Sequence, residues 1–108
     1  MSDDAAPPEA NAGPKVPPGA VSREIPIVNK RGLHARASAK FVQTVERFDA
    51  EVWVTRGGET VGGTSIMGLM MLSAGPGTSI IVSALGPEAD SAVAAITELC
   101  ANKFHEDT

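Results

Sequence analysis

The sequence is poor in aromatic residues and contains no tyrosine, since aromatic side chains account for only 4% of its 108 residues. Hydrophobic residues nevertheless make up 43% of the chain, so we expect one domain with an aliphatic core of Val, Ile, Leu, Met and Ala. The single cysteine, Cys100, excludes an intrachain disulfide and indicates a reducing compartment. No apolar run reaches the length of a membrane span, and the N-terminal residues lack the pattern of a signal peptide. These absences predict a cytoplasmic protein that does not contact membranes.

Acidic residues are absent from residues 25–45, although the whole chain carries a net charge of −4. The same segment contains Lys30, Arg31, Arg36 and Lys40. A basic patch on an acidic protein indicates an anionic ligand or an acidic partner surface. Nucleic acid is a poorer fit, because the patch is short and no aromatic residues are interleaved with it.

The sequence offers few groups for a metal ion or a cofactor. Its two histidines and one cysteine are widely separated, so we expect no metal site. The glycine pairs at 57–58 and 62–63 lack the context of a nucleotide-binding loop and indicate turns. His105 is expected in solvent, and Cys100 is expected in the core.

The first 21 residues differ in composition from the rest of the chain. They hold five of the eight prolines, several alanines and almost no large apolar side chains. Such a segment buries too little apolar surface to offset the entropy lost on ordering. We therefore predict a disordered Pro/Ala-rich tail over 1–21, a folded domain over 22–104 and a short C-terminal tail over 105–108.

Hydrophobic periodicity divides the folded domain into strands and helices. We predict strands over 23–28, 51–56, 59–62 and 78–84, and helices over 35–48, 65–72 and 87–103. Pro26 cannot donate to a sheet ladder, so the first strand should lie at an edge. Gly57 and Gly58 predict a two-residue hairpin, and Pro87 is expected in the first turn of the last helix.

The element order β-α-β-β-α-β-α predicts an α+β fold. The most economical arrangement is one four-stranded antiparallel sheet with three helices on one face. The other face would then be in water. This is in keeping with the alternating patterns of two strands, one of which contains Trp53 and Thr55 and the other Ile80 and Val82.

His34 is the residue in which the sequence points most directly to chemistry. It lies at the start of the predicted first helix, where unpaired N–H groups and the helix dipole favour an anion and disfavour an imidazolium ring. A neutral imidazole at this position can attack phosphorus, and Arg36 is near enough to hydrogen-bond a phosphoryl group. On position alone, ordinary surface residues are the commoner explanation for both.

Two segments carry a resemblance to a known family. They are residues 32–41, G-L-H-A-R-A-S-A-K-F, and residues 65–72, S-I-M-G-L-M-M-L. Together they resemble the HPr family, the histidine-containing phosphocarriers of the bacterial phosphoenolpyruvate-dependent phosphotransferase system. The resemblance runs over residues 22–104 and implies an HPr-like open-faced sandwich.

The resemblance implies a role for the matched residues. His34 matches the histidine that takes a phosphoryl group from enzyme I, with Nδ1 as the accepting nitrogen, and Arg36 matches the arginine that stabilises this group. Enzyme IIA proteins are the implied acceptors. The chain would then be a monomeric, stoichiometric carrier without turnover of its own, and no cofactor would be needed.

The second segment implies regulation and docking. Ser65 can cap the short helix, and it matches the serine that an HPr kinase/phosphorylase modifies in many relatives. Such a phosphate adds about −1.5 to −2 charges at pH 7 and would weaken the docking of an acidic partner. Ile66, Met67 and Met70 are implied as a docking patch beside the histidine, and methionine side chains can adapt to several partners.

One residue departs from the usual family pattern, because Ala37 stands where members often have proline. This resembles the nitrogen-regulatory branch and alphaproteobacterial members, and it favours a regulatory relay over sugar transport. Two other functions remain open. The chain could be a binding module switched by phosphorylation of Ser65, or a small-ligand regulatory domain of similar architecture.

Overall fold

The structure is a computed structural model that describes residues 15–106. Residues 15–20 form no helix or strand, and the larger part of the predicted disordered tail lies outside the described residues. The strands are β1 (Val21–Pro26), β2 (Glu51–Arg56), β3 (Glu59–Gly62) and β4 (Ser79–Leu85), and the helices are α1 (Ala35–Val45), α2 (Ile66–Met71) and α3 (Ala89–Ala101). A short 3-10 turn, Lys103–His105, follows α3.

The four strands form one antiparallel sheet in the order β1-β4-β2-β3. The helices α1, α2 and α3 cover one face, as the sequence predicts, so the α+β open-faced sandwich is confirmed. Pro26 lies at the end of β1, which is an edge strand, and this prediction is also confirmed. Gly57 and Gly58 have φ values of +60° and +83°, which suits the tight turn of the β2–β3 hairpin.

The first and last strands begin at other residues than the sequence predicts. β1 starts at Val21 rather than at residue 23, and it ends at Pro26 rather than at 28. β4 covers 79–85 instead of 78–84. The two strands pair from Val21 with Ala84 to Pro26 with Ser79, so each strand's bounds depend on its partner. Val21 therefore belongs to the sheet, although the predicted domain boundary left it in the tail.

All three helices are shorter than predicted, and α2 loses one residue at each end, where Ser65 and Leu72 are its caps. α1 ends at Val45 rather than at 48. The N–H groups of Arg47 and Phe48 donate to carbonyl oxygens three residues back, so the chain forms a tighter turn there and the α-helix does not continue. α3 begins at Ala89, so Pro87 precedes the helix and its N-cap, Glu88, instead of lying in the first turn. The predicted placement of Pro87 is thus wrong by two positions.

The core between the sheet and the helices contains aromatic side chains that the sequence analysis did not expect there. Phe41 from α1 and Phe104 from the C-terminal turn are both fully buried. Their neighbours in the core include Val54 and Val82 of the sheet and Ile96 of α3. The prediction of an aliphatic core is therefore corrected in two respects: the core also contains phenylalanine, and it lacks the methionines of α2, two of which the resemblance had placed in a docking patch.

The face of the sheet that carries no helix is not uniformly wet. Ile80 and Val82 point into the core and Ile81 between them is exposed, as the alternation predicts. Trp53 lies on the helix-free side, opposite Ser83 and Gly62, yet only 7% of its surface is exposed. The expectation that this face lies in water is therefore wrong at Trp53, which is buried there.

Candidate functional site

The loop before α1 fixes the position of His34. Gly32 adopts a φ of +65°, and a Cβ atom at this position would lie 2.2 Å from the carbonyl oxygen of Ala74. This close approach lets the N–H of Leu33 donate to that oxygen at 3.0 Å. Leu33 is buried, and Ser38 donates from its hydroxyl to the carbonyl of Leu33. The chain therefore enters α1 along one defined path, and only a glycine fits at its tightest point.

His34 is the N-cap residue of α1, as expected for a histidine at the helix start. Its backbone is extended, its carbonyl accepts the N–H of Ser38, and its Nδ1 accepts the backbone N–H of Arg36 at 3.3 Å. The side chain is 21% exposed, so a partner can reach the ring. Because Nδ1 accepts a hydrogen bond, it carries a lone pair and not a proton in this arrangement.

The other ring nitrogen contacts a carboxylate from the C-terminal end of the domain. Nε2 of His34 lies in hydrogen-bonding contact with Oε2 of Glu106. The same oxygen accepts the side-chain amide of Asn29 at 3.1 Å, and this amide also donates to the carbonyl of Gly32 at 2.9 Å. Asn29 thereby joins the loop that positions His34 to the residue that contacts its ring.

The electrostatics of this contact favour an ionised Glu106. Partial burial acts to raise the pKa of its carboxyl, but the hydrogen bonds from His34 and Asn29 and the electrostatic effects of His34 and Arg31 lower it more. The net result is a pKa below the ordinary value of 4.5. Glu106 is therefore a carboxylate near neutral pH, able to accept hydrogen bonds but not to donate them.

The four basic residues of the patch have different surroundings. Lys30, Arg31 and Arg36 are exposed, and Arg31 lines a shallow cleft with His34. Lys40 is half-buried and donates from Nζ to the carbonyl oxygen of Phe104 at 2.6 Å. Three cations thus remain exposed around the helix start, while the fourth holds the C-terminal turn.

The second segment singled out in the sequence borders the same cleft. Ser65 is exposed and is the N-cap of α2, where its hydroxyl accepts the N–H of Gly68 at 3.0 Å. Ile66 and Met70 are each 39% exposed and Met67 is 70% exposed, whereas Leu69 is fully buried. Met70 lines the cleft together with His34 and Arg31. Apolar side chains and the histidine therefore form one continuous surface.

Similarity to known proteins extends over most of the chain. Residues 21–102 match the family model described as the PTS HPr component phosphorylation site. The chain belongs to the HPr family. Its members are phosphocarriers of the bacterial phosphotransferase system, and the resemblance seen in the sequence is confirmed.

Individual relatives of the HPr family match over most of their length. Phosphocarrier protein HPr of Neisseria meningitidis is 49% identical over 86 residues, which cover 80% of this chain and 97% of that protein. Phosphocarrier protein NPr of Shewanella violacea is 40% identical and is covered to 94%. The crystal structure of HPr from Thermoanaerobacter tengcongensis matches with a TM-score of 0.77 at 39% identity, covering 82% of this chain and 99% of that one.

Sequence analysis missed two residues of the candidate site. Asn29 lies between the first predicted strand and the first predicted helix and was given no role, although an Asn three residues before a glycine is a turn signal that could have drawn attention to it. Glu106 was assigned to a short polar tail, and no sequence pattern links it to a histidine 72 positions away. His105 is exposed and Cys100 is buried, as predicted.

Two further findings concern metal binding and membrane-spanning helices. Between residues 15 and 106, no group of three or more His, Cys, Asp or Glu side chains is arranged to hold a metal ion. Over the same residues, none of the helices has both the length and the apolar character needed to cross a membrane.

Proposed function

We propose that this chain accepts a phosphoryl group from phosphorylated enzyme I on Nδ1 of His34 and passes it to enzyme IIA proteins. The observation that carries the proposal is the position of His34 as the partly exposed N-cap of α1, with Nδ1 next to the backbone N–H of Arg36. A nitrogen at this position can be reached by a partner. It also lies where backbone N–H groups and the helix dipole stabilise the charge of a bound phosphoryl group.

The transfer is a displacement at phosphorus. The lone pair of Nδ1 forms the new N–P bond, while the bond between phosphorus and the donor's atom breaks and its electron pair returns to the donor. The N–H of Arg36, released from Nδ1, can then donate to a phosphoryl oxygen. The exposed guanidinium of Arg36 adds charge-assisted hydrogen bonds to the same group. The reverse displacement delivers the group to an acceptor.

Labelling with phosphoenolpyruvate and enzyme I tests the proposal. We expect acid-labile, base-stable phosphate on the unsubstituted protein and none on His34→Ala. The chain provides a matched control, because its other histidine, His105, is exposed and should keep full labelling when it is replaced by alanine. Labelling of His34→Ala at the normal rate, or loss of labelling in His105→Ala alone, would refute the assignment.

The proposal extends to Arg36. An Arg36→Lys variant keeps the positive charge but loses the planar, forked arrangement of donors, so we expect slower uptake than in the unsubstituted protein. Arg23→Lys is the matched control, since it makes the same change at an exposed arginine of β1 outside the basic patch. An Arg36→Lys variant that accepts phosphate as fast as Arg23→Lys would argue against the role of Arg36.

The acceptors are proposed to be those of a regulatory relay, with sugar uptake as the alternative. Ala37, at a position often occupied by proline in the family, supports the regulatory branch, and one relative of this chain is named NPr. The relay is proposed to operate in the cytoplasm, with the chain as a monomer. Incubation of the labelled protein with enzyme IIA proteins of both branches tests the preference. Faster discharge to sugar-specific acceptors would contradict it.

Ser65 is proposed as a regulatory site for an HPr kinase/phosphorylase. Its hydroxyl is exposed, and it immediately precedes the exposed side chains of Ile66 and Met67. A phosphate there would bring negative charge close to the proposed docking patch, which consists of Ile66, Met67 and Met70. We expect Ser65→Asp to slow uptake from enzyme I, whereas Ser65→Ala should not. Equal rates for the two variants would remove the switch.

A binding module switched by Ser65 is the second candidate function, and the exposed docking patch favours it. In that case phosphate would be found only on Ser65, after incubation with ATP and the kinase. Labelling by phosphoenolpyruvate and enzyme I, lost in His34→Ala, separates the carrier from this alternative.

A further inference from the structure

The C-terminal turn brings a carboxylate onto the imidazole of His34, and the proposed phosphoryl transfer leaves the purpose of this contact open. We propose that Glu106 is a positioning residue that holds the proton on Nε2 of His34, so that Nδ1 is the nitrogen with a free lone pair. This inference rests on the proposed function and specifies how the chain selects between the two ring nitrogens.

The hydrogen-bond pattern around the ring carries the inference. The backbone N–H of Arg36 donates to Nδ1, so a proton on Nδ1 would place two hydrogens against each other. At the other nitrogen, Oε2 of a carboxylate can only accept, so it needs a proton on Nε2. Both neighbours therefore select the same tautomer, one as a donor and the other as an acceptor.

Glu106 is itself held in place. Its side chain is only 9% exposed, and Oε2 accepts the amide of the fully buried Asn29. Oε1 of Glu106 and Oδ1 of Asn29 are buried without a hydrogen-bond partner among the described residues. Burying a carboxylate with one oxygen unpaired is costly, and a role in the site gives a reason for keeping it there.

The turn that delivers Glu106 also has an unusual conformation. Lys103, Phe104 and His105 have φ values of +57°, +55° and +59°, a region that residues other than glycine seldom occupy and never favour in succession. The turn is anchored by the fully buried ring of Phe104 and by the bond from Lys40 to the Phe104 carbonyl. Strain held in place beside a chemical group is typical of functional sites.

The carboxylate has a consequence for both directions of transfer. When the lone pair of Nδ1 forms the bond to phosphorus and the donor's bond breaks, the proton stays on Nε2 and the ring becomes a phosphorylated imidazolium. The negative charge of Glu106 stabilises the positive charge that develops on the ring, as a carboxylate does for a catalytic histidine. Because the ring keeps its Nε2 proton, it leaves phosphorus as a neutral imidazole when the group passes to an acceptor.

Nitrogen-15 NMR of His34 and phosphoryl uptake test the inference together in Glu106→Gln. The amide removes the charge and can turn its NH2 group toward Nε2, so it no longer enforces one tautomer. We expect the unsubstituted protein to show a protonated Nε2 and an unprotonated Nδ1 in the neutral ring. We expect Glu106→Gln to show a mixture of tautomers and uptake slower by roughly tenfold or more. Glu59→Gln, an exposed carboxylate on the β2–β3 hairpin, is the matched control and should behave like the unsubstituted protein.

Three outcomes would count against the proposals, and they have different meanings. If Glu106→Gln keeps both the tautomer and the uptake rate of the unsubstituted protein, the positioning role of Glu106 is wrong and the carrier function stands. If the unsubstituted protein takes up no phosphate from enzyme I, the carrier function fails. A prevailing Nδ1–H tautomer in the unsubstituted protein would also overturn the role of Glu106. Circular dichroism of the variant excludes a loss of fold as the cause of slower uptake.

Discussion

Replacement of Gly32 by alanine should separate two costs that a side chain incurs in the loop before His34. The first is conformational, because an L-residue at a φ of +65° costs about 1–2 kcal/mol. The second is steric, since the new Cβ would lie 2.2 Å from the Ala74 oxygen and 2.9 Å from the Gly75 Cα atom. Both are backbone atoms, so the loop must move, and the hydrogen bond from Leu33 to Ala74 is lost at a further cost of about 0.5–1.5 kcal/mol.

The sum predicts a loss of roughly 1.5–3.5 kcal/mol in the free energy of unfolding, which corresponds to a decrease in Tm of roughly 6–28 °C for a domain of this size. Gly57→Ala is the matched control, because Gly57 has a φ of +60° and a Cβ added there would meet no atom within 4 Å. It should lose only the conformational part, about 1–2 kcal/mol.

Chemical denaturation of both variants measures the two costs. Because the clash of the new Cβ atom with Ala74 displaces the loop that holds His34, Gly32→Ala should also slow phosphoryl uptake, while Gly57→Ala should not. The reasoning would be refuted if Gly32→Ala were no less stable than Gly57→Ala, because the close approach to Ala74 would then have no energetic effect.

Three further predictions concern stability and reactivity. Ser65→Ala should lower the free energy of unfolding by about 1 kcal/mol, because the N-cap of α2 is lost. Ser91→Ala, at an exposed position in α3, is the control and should not destabilise the fold in the same denaturation assay. Because the pKa of Glu106 is lowered in the folded protein, its ionised form stabilises the fold above pH 4.5, and this contribution is lost as the pH falls through the folded-state pKa. The stability difference between the unsubstituted protein and Glu106→Gln should therefore be present at neutral pH and vanish in acid. Burial raises the pKa of the Cys100 thiol to about 12, so a thiol reagent should label Cys100 only when denaturant is added, and rapid labelling of the native protein would contradict its placement in the core.

Local signals in the sequence were sufficient for most of the fold. Periodicity, apolar composition and turn residues together predicted every strand and α-helix of the described residues, because burial on one face imposes the periods of helices and strands on the sequence. The paired glycines at 57–58 and the proline in β1 predicted a hairpin and an edge strand from backbone chemistry alone. Element ends were less predictable, because the ends of β1 and β4 depend on their pairing and the end of α1 depends on how its last turn tightens.

The candidate site was accessible from sequence only in its local part. His34, Arg36 and Ser65 stand at or next to helix starts, and a helix start is encoded by residues within a few positions of each other. The cleft that joins His34 to Met70 needed the fold, because the two residues lie on different helical segments.

The sequence by itself determined the order of the elements, the helix start at His34 and the family to which these segments belong, since each follows from residues that are close in the chain. The tertiary structure alone decided that Phe104 fills the core, that Trp53 is buried on the helix-free face and that Glu106 contacts the imidazole. These contacts join residues far apart in sequence, and a left-handed turn of non-glycine residues runs against their local preferences. Only the combined burial and hydrogen bonding of the folded domain can impose such a turn.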